Sequence, residues 1–442
     1  METEKQALLR NLDTSQVEAW VQQNSKLIED TLRRFVGIPS ENKYPVGNEL
    51  QAQLEMETIM QQLGMETDLF LVTDVPGIEQ HEAFLSDGRD YSNRPNVVGV
   101  LRGTGEGKSL IFNGHMDTVP IGRELWSQDP FDAAINDGKL YGLGIFDMKG
   151  GLLASLMALR CLRDLGYTTQ GDVIVESVVD EEFGGSNGTL ACILRGYEAD
   201  AAIIPEPTNM VICPINQGGF YYRVSFHGRA GRSFSGEKLI NPAFQAARFL
   251  EIIYQFHEWR NENDVPDPMF PNNELRTDVQ TVFAGDPSIE LGDRVPSSCS
   301  IDLWIQVLPG VTDTETWRQF TEFYTPRVQA DALLAGANMR IEKKMRFLPG
   351  TGIDPNHPIV STLYEAGQEG AGRELSVLGA PFACDSYMFN LYSQTPVVIF
   401  GPCGGNAHAP DEYIVVEEYH KLIQTYALTI AKWCGISGQE EN

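Results

Sequence analysis

The chain has 442 residues, 42% of them apolar, which is enough for a large core and, by length, for two or three domains. It carries 61 acidic and 33 basic residues, and its formal net charge of -28 would repel the phosphates of nucleic acids and anionic membrane surfaces. We therefore expect no nucleic-acid partner and no membrane partner, and we interpret the dispersed acids as a solvated surface.

The cysteines and the N-terminal segment predict a cellular compartment. The seven cysteines lie far apart, without a C-x-x-C pair, so neither a disulfide framework nor a thiolate zinc site is indicated. The first thirty residues follow helical spacing and lack the apolar core of a secretory signal. No apolar run approaches the roughly 18 residues of a membrane span. We expect a cytoplasmic protein with reduced thiols.

From about residue 96 the chain alternates β-rich runs with helical stretches. The runs are NVVGVLRG, SLIFNGHMD, the helical GGLLASLMALRCLRDLG, DVIVESVVDEE and ADAAIIPEP. This order predicts an α/β domain, a sheet layered with helices. The polar residues that could carry chemistry stand where these strands stop, which is where open α/β sheets bind their ligands.

Between about residues 216 and 347 the pattern changes to β-α-β-β-α-β, which predicts a separate α+β unit. The last ninety residues return to the style of the first part. We therefore predict an inserted domain at 216–348 within a main domain made of 1–215 and 349–442.

Five short segments each hold a side chain that can bind a metal ion. They are GHMDTVP, GIFDMKGG, VVDEEFGG, IIPEPT and GGNAHAPDEY, with the candidates His115, Asp117, Asp147, Glu181, Glu182, Glu206 and His408. Alone, such a residue is usually a turn, a cap or a hydrogen-bonded structural residue. Together, two histidines and several carboxylates beside glycines form the nitrogen and oxygen ligand set that suits zinc.

Two divalent ions about 3.5 to 4 Å apart need a bridging carboxylate, and each also needs its own ligands. A set of five ligands meets this need and leaves Asp117 and Glu181 for other roles. Asp117 follows His115 by two residues, on the same side of an extended strand, where its carboxylate could orient the imidazole. Glu181 adjoins Glu182 and suits a general base; the alternative is an acid at a helix start.

The order of these motifs resembles the metallopeptidase and deacylase family of acetylornithine deacetylase, succinyl-diaminopimelate desuccinylase, aminoacylase and glutamate carboxypeptidase. The likeness runs from about residue 30 to the C-terminus. It implies a mixed-sheet, di-zinc hydrolase catalytic domain with an inserted lid that commonly also forms a homodimer. It implies two divalent ions, with zinc as the first choice and cobalt or manganese as alternatives. In the implied centre Asp147 bridges the two ions, His115 and Glu206 complete one site, and Glu182 and His408 complete the other. Glu181 is the implied base.

The inserted domain departs from the family's pattern. Arg232, in GRAGRS, stands where the family has a histidine that polarises the scissile carbonyl. Arginine can donate to an oxyanion or bind a carboxylate, and the alternative is a surface arginine. Asp293 and Gln306 stand where an Asn and an Arg often bind the substrate's carboxylate. Asp385 lacks the Gly-Gly-Thr that usually precedes it, so a structural turn residue is an equal alternative there.

We expect an amide hydrolase in which a metal-activated water attacks the carbonyl of a small molecule while Glu181 passes the proton to the leaving amine. The departures favour an N-acyl amine or N-acyl amino acid deacylase over a dipeptidase or carboxypeptidase. A third hypothesis is a non-catalytic metal-binding or scaffolding protein. The presence of Glu181 beside all five ligands argues against it, because a structural metal needs no base.

Overall fold

The computed structural model describes residues 12–234, 236–263, 267–271, 275–286 and 293–438. These residues form two compact units. Unit 1 takes the described residues of 1–215, 352–380 and 384–442, and unit 2 takes those of 216–351 and 381–383. The limits of the inserted and main domains stay a prediction, because a domain is a unit that folds alone, and compactness is a different property.

Helices and short strands alternate along most of the chain. The helices are α1 (Thr14–Gln23), α2 (Ser25–Val36), α3 (Leu50–Gln62), α4 (Gly150–Asp164), α5 (Asn187–Leu194), α6 (Pro242–Asn263), α7 (Asp313–Ala330), α8 (Pro358–Ala371), α9 (Ser386–Tyr392) and α10 (Val416–Cys434). The strands are β1 (Asn42–Lys43), β2 (Val46–Gly47), β3 (Glu66–Leu71), β4 (Pro95–Leu101), β5 (Leu110–His115), β6 (Ile135–Asn136), β7 (Lys139–Tyr141), β8 (Tyr167–Thr169), β9 (Val173–Val178), β10 (Ala202–Ile204), β11 (Gly218–His227), β12 (Thr277–Ala284), β13 (Ser298–Val307), β14 (Asn338–Lys343), β15 (Val397–Ile399), β16 (Gly404–Gly405), β17 (Tyr413–Val415) and β18 (Ile436–Gly438).

A six-stranded mixed sheet forms the centre of unit 1. Its order is β15-β10-β5-β9-β4-β3, in which β15, β10, β5 and β9 run parallel and β4 and β3 pair antiparallel. Every residue of β5 and β9 is buried, as expected for parallel strands that are covered on both faces. The predicted mixed α/β fold is confirmed. Helical spacing was predicted for the first thirty residues. Residues 1–11 lie outside the described residues, and the rest of this stretch contains α1 and the start of α2.

Helix α4 lies at the middle of the unit 1 core. It is apolar on nearly all sides, which is typical of a fully buried helix, and α10 packs against it and against α8. A Cβ atom at Gly151 would lie 2.0 Å from the carbonyl oxygen of Pro205. Glycine is therefore required where the first turn of α4 meets the end of β10, and this close approach brings the two segments that carry Asp147 and Glu206 together.

Unit 2 is an α+β structure with the predicted β-α-β-β-α-β order. Strands β12, β13, β11 and β14 form an antiparallel sheet, and α6 packs on the first three of them. Phe249, Phe256 and Phe320 are fully buried between the helices and the sheet. Within the described residues β12 is an edge strand.

The cysteines and helices of the described residues concern the predictions about free thiols and about membrane-spanning segments. All seven cysteines are buried free thiols, as their spacing indicated. Among the helices that the structure describes, none combines the length and the apolar character needed to cross a bilayer.

Glu176 is a buried carboxyl group at the centre of the unit 1 sheet. It lies on β9 with 0% exposure, and its Oε2 accepts a hydrogen bond of 2.8 Å from the Asn113 amide. Its Oε1 has no hydrogen-bond partner among the described residues. Burial raises the pKa of Glu176 to about 8, although the Asn113 hydrogen bond opposes this. The ionised form is therefore disfavoured in the folded chain.

We predict that Glu176→Gln flattens the pH dependence of stability. A carboxyl whose pKa is raised on folding costs stability as the pH rises from its unfolded pKa of 4.5 to its folded pKa of about 8, and the cost then stays constant. The difference should reach at most on the order of 5 kcal/mol, since one pKa unit corresponds to about 1.4 kcal/mol. Calorimetric Tm values of both proteins at pH 5, 7 and 9 measure it, and parallel curves would contradict the prediction.

Candidate metal centre

The metal-capable side chains stand at one edge of the unit 1 sheet because the parallel strands end there. His115 is the last residue of β5, the Glu181–Glu182 turn follows β9, and Glu206 follows β10. Asp147 lies in the loop before α4, and His408 lies in the loop between β16 and β17. The carboxyl ends of neighbouring parallel strands meet at the same edge, which is the usual ligand site of such sheets.

Asp147 faces both histidines. Its Oδ1 lies 3.1 Å from His115 Nε2, and its Oδ2 lies 3.1 Å from His408 Nε2. Glu206 Oε1 lies 3.6 Å from His115 Nε2, and Glu182 Oε2 lies 3.2 Å from His408 Nε2. The structure thus forms two adjacent donor groups, each with one imidazole and one carboxylate of its own, that share Asp147.

Glu181 adjoins the donor group of His115. Its Oε2 lies 3.9 Å from His115 Nε2. The ligand atoms of His115, Glu181 and Glu206 lie within 4.8 Å of one another, as do those of His115, Asp147 and Glu182. The five predicted ligands and the predicted base are therefore all brought together.

The cluster carries more negative than positive charge, with four carboxylates around two imidazoles. Burial raises the pKa of Glu206, and the charge of Asp147 raises it further. Burial opposes the charge of His115, but the hydrogen bond to Asp147 and the charge of Glu206 outweigh it and hold the pKa of His115 well above its usual value. Two divalent cations would offset this excess, and the nitrogen and oxygen donors are those that zinc prefers.

Asp117 holds the neighbouring turn, and its contact with His115 differs from the predicted one. The Nδ1 of His115 donates to the main-chain carbonyl of Asp117 over 2.8 Å, whereas the carboxylate is 3.8 Å away. That carboxylate accepts from the backbone N–H groups of Glu181 and Glu182 over 3.2 and 3.1 Å, and from the Asn42 amide over 2.9 Å. The expected carboxylate–imidazole bond is thus replaced, because the open N–H groups of the turn compete for the carboxylate. The carbonyl bond still turns Nε2 of His115 toward Asp147 and the other donors of the cluster.

A buried charged network behind the same turn was not predicted from the sequence. Asp180, which has a left-handed backbone with φ of 68°, accepts from Arg89 and Tyr91 over 2.6 Å each. Arg94 lies 3.3 Å from Asp180 and forms a buried ion pair of 2.6 Å with Glu49. These bonds fix a strained conformation just before Glu181. The acid that precedes the paired glutamates was the only signal in the sequence.

Asp385 stands at the start of α9 and is buried. Its Oδ2 accepts from the hydroxyl of Thr189, and burial raises the pKa of Asp385. Its negative charge also contributes to raising the pKa of Glu181, for which burial is the largest cause. Asp385 is therefore a helix-start residue that also acts on the electrostatics of the cluster.

Three predicted site residues lie in unit 2. Arg232 and Asp293 are exposed, and the Arg232 guanidinium donates to the Asp293 carbonyl. Gln306 is buried, and its carboxamide donates to the side chain of Gln217 and to the Pro381 carbonyl. A direct contact between Gln306 and a substrate would require these bonds to break.

The chain belongs to the peptidase family M20/M25/M40, whose model matches residues 111–432. It is a metal-dependent hydrolase of amide bonds in small molecules, and the family inferred from the motifs is confirmed. It is 28% identical over 445 residues to the N-formyl-4-amino-5-aminomethyl-2-methylpyrimidine deformylase of Halalkalibacterium halodurans, which covers 94% of this chain and 96% of that protein. It is 27% identical over 328 residues to the acetylornithine deacetylase of Pectobacterium carotovorum, with 72% of this chain and 79% of that protein covered.

The fold is similar to that of a solved human protein. The crystal structure of human carnosine dipeptidase 1 superimposes with a TM-score of 0.77 at 16% sequence identity, over 95% of this chain and 98% of that one. At this identity the likeness concerns the fold alone.

Proposed function

We propose that this chain is a deacylase that removes a short acyl group, with formyl as the first candidate, from a primary amine. The observation that carries the proposal is Asp147, whose two oxygens each face a different histidine while Glu181 stands beside them. This arrangement matches the need of two adjacent cations for a shared carboxylate with a base in reach. The choice of acyl group is supported by the near full-length similarity to a formylpyrimidine deformylase.

In the proposed centre His115 and Glu206 would hold one divalent ion, Glu182 and His408 would hold the other, and Asp147 would serve both. Zinc is the proposed metal, with cobalt or manganese as alternatives, because the donors are imidazole nitrogens and carboxylate oxygens. Divalent cations bound there supply positive charge that polarises a carbonyl and acidifies a water molecule.

The chain's own residues then handle the proton and the positions of the groups. Glu181 takes a proton from the attacking water and gives it to the leaving amine, and its position beside the donor group, with Oε2 3.9 Å from His115 Nε2, places it in reach of both. Asp117 holds the turn that carries Glu181. In unit 2, Arg232 is the proposed donor to the substrate's carbonyl oxygen, and Asp293 and Gln306 stay proposed substrate contacts.

Two other functions compete with deacylation. A dipeptidase or carboxypeptidase of the same fold would use the same centre, and only the identity of the amine would differ. A non-catalytic metal-binding protein would have no use for a base at Glu181. The proposed compartment is the cytoplasm, since seven buried free thiols suit a reducing environment.

We also propose a homodimer that forms through unit 2. The edge strand β12 exposes three large apolar side chains, Val279, Val282 and Phe283, at 40%, 49% and 48%. Helix α6, which packs against β12, exposes Phe244 at 66% and Tyr254 at 64%. An apolar edge strand beside an apolar helix surface is suited to pairing with a second copy of itself.

Glu181→Gln should lower kcat by about 100- to 10,000-fold, the usual contribution of a general base. The amide keeps the size of the side chain but cannot take a proton, so both metal ions should stay bound. Steady-state kinetics and elemental analysis on the same sample measure the two effects. Glu198→Gln, at an exposed position, is the control and should behave like the wild type. Near wild-type turnover by the fully metallated Glu181→Gln protein would refute the role of the base.

A substrate panel separates the candidate functions. We expect kcat/KM to be highest for an N-formyl aminomethylpyrimidine and to fall by about 10- to 200-fold for its N-acetyl analogue, the range that a small change in a fitted pocket produces. N-succinyl amines and dipeptides complete the panel. Preferred cleavage of dipeptides would favour the dipeptidase, and no cleavage by metal-loaded protein would favour the non-catalytic alternative.

Sedimentation velocity should show a dimer for the wild type and a monomer for Val282→Lys, because an exposed lysine on an edge strand prevents strand pairing. Leu125→Lys is a matched control, since Leu125 is 94% exposed in unit 1 and its substitution should leave the dimer intact. A monomeric wild type at all concentrations would contradict the proposal.

A further inference from the structure

Glu412 is a buried acid that connects two segments of the metal centre. It is 1% exposed and lies just before β17, in the segment that follows His408. Its Oε2 accepts from the Gly144 N–H over 2.8 Å, and its Oε1 accepts from the N–H groups of Phe146 and Asp147 over 2.7 and 3.0 Å. Three main-chain donors of the Asp147 loop thus converge on one carboxylate.

The loop needs these acceptors because its backbone is irregular. Gly144 has a left-handed φ of 74°, and Asp147 has φ of -119° and ψ of 93°, outside the helical region. Buried N–H groups that lack partners are costly, and a carboxyl group with two acceptor oxygens can take several of them. Burial raises the pKa of Glu412 to about 8, and the three N–H bonds oppose this by stabilising the ionised form. A neutral glutamine would offer one acceptor oxygen and would turn an NH₂ group toward donors.

The His408 segment is itself a tightly folded turn. Asn406, His408 and Asp411 have left-handed φ angles of 61°, 59° and 59°. The Asn406 amide donates to the carbonyls of Pro410 and Asp411 over 3.3 and 3.1 Å, which closes the turn. Such strained residues persist only where the surroundings hold them. Anchoring the end of this turn therefore also fixes His408.

The main chain of Glu412 adds a fourth link, because its carbonyl accepts from the Gly142 N–H over 2.9 Å. One residue thus ties the His408 turn to the loop that carries Asp147. The spacing of 3.1 Å between His408 Nε2 and Asp147 Oδ2 depends on the relative position of these two segments. Strand β17, which begins directly after Glu412, also pairs with β7 ahead of the Asp147 loop, and the bonds of Glu412 extend this connection into the loop itself.

We propose that Glu412 is a positioning residue that sets the distance between Asp147 and His408 and thereby the cation affinity of the site they form with Glu182. The proposal rests on the metal centre of the proposed function and names a residue outside its ligand set. The residue acts through main-chain N–H groups and does not touch the substrate. Partners of this kind that orient ligands typically change metal affinity by about 10- to 100-fold.

The test is metal binding by Glu412→Gln without substrate. Titration with zinc against a competing chelator should show wild-type chains holding two ions where the variant holds one, with the weaker site about 10- to 100-fold lower in affinity. Higher zinc should restore both the second ion and turnover. Two ions bound at wild-type affinity by the folded variant would overturn the proposal.

Two further variants separate positioning from loss of stability. Asp331→Asn removes another carboxylate that accepts two main-chain N–H bonds, from Leu333 and Leu334 over 2.8 and 3.1 Å, but in unit 2, so Tm should fall while zinc affinity stays unchanged. Glu412→Asp keeps the charge but shortens the reach, and it should show an intermediate loss of affinity. If Glu412→Gln does not fold, the zinc affinity of Glu412→Asp tests the proposal. A wild type that holds fewer than two ions at saturating zinc would instead contradict the metal centre itself.

Discussion

The mutual repulsion of buried and half-buried carboxylates is the constraint on which the centre of unit 1 depends. Asp147, Glu181, Glu182 and Glu206 meet at one edge of the sheet with only two imidazoles among them. Like charges at such distances in a partly dry site cannot all stay ionised without compensation. Divalent cations would compensate this charge, and the nitrogen and oxygen donors of the site suit them. The excess of negative charge that destabilises the site without metal therefore also favours the binding of metal.

Main-chain N–H groups hold in place one carboxylate of the centre and two carboxylates that lie behind it. Asp117 accepts from the turn of Glu181 and Glu182, Glu182 accepts from the Val119 N–H over 3.1 Å, and Glu412 accepts from the loop of Asp147. Such bonds stabilise negative charge without adding a side-chain cation that would compete with a metal. The irregular segments at the strand ends supply these donors because their N–H groups are not used in a helix or a sheet. The loops are therefore part of the electrostatics of the site as well as the connections between its ligands.

The sequence indicates which segments meet at the edge of the sheet, because each couples a short β-rich run to an acid or a histidine beside glycine. The β-α-β-β-α-β order of unit 2 was predictable from periodicity, since its helices are long and its strands alternate. The network of Arg89, Arg94 and Asp180 was not, because the segment between β3 and β4 is irregular and no periodic pattern marks which of its residues are buried. Spacing alone also could not show that the Asp117 carboxylate binds backbone N–H groups. Whether it binds them or the His115 imidazole depends on the turn that follows β9.

The charges of unit 2 bear on the choice between a deacylase and a dipeptidase. A peptide substrate brings a carboxylate, and binding it away from water needs a cationic or multiply donating partner. At the two positions where the resemblance predicts such partners, this chain has the acid Asp293 and the neutral Gln306, whose carboxamide already donates to Gln217 and the Pro381 carbonyl. An amine that lacks a carboxylate imposes no such requirement. The same residues that weaken the case for a peptidase therefore fit the proposed substrate class, an acylated amine without a carboxylate.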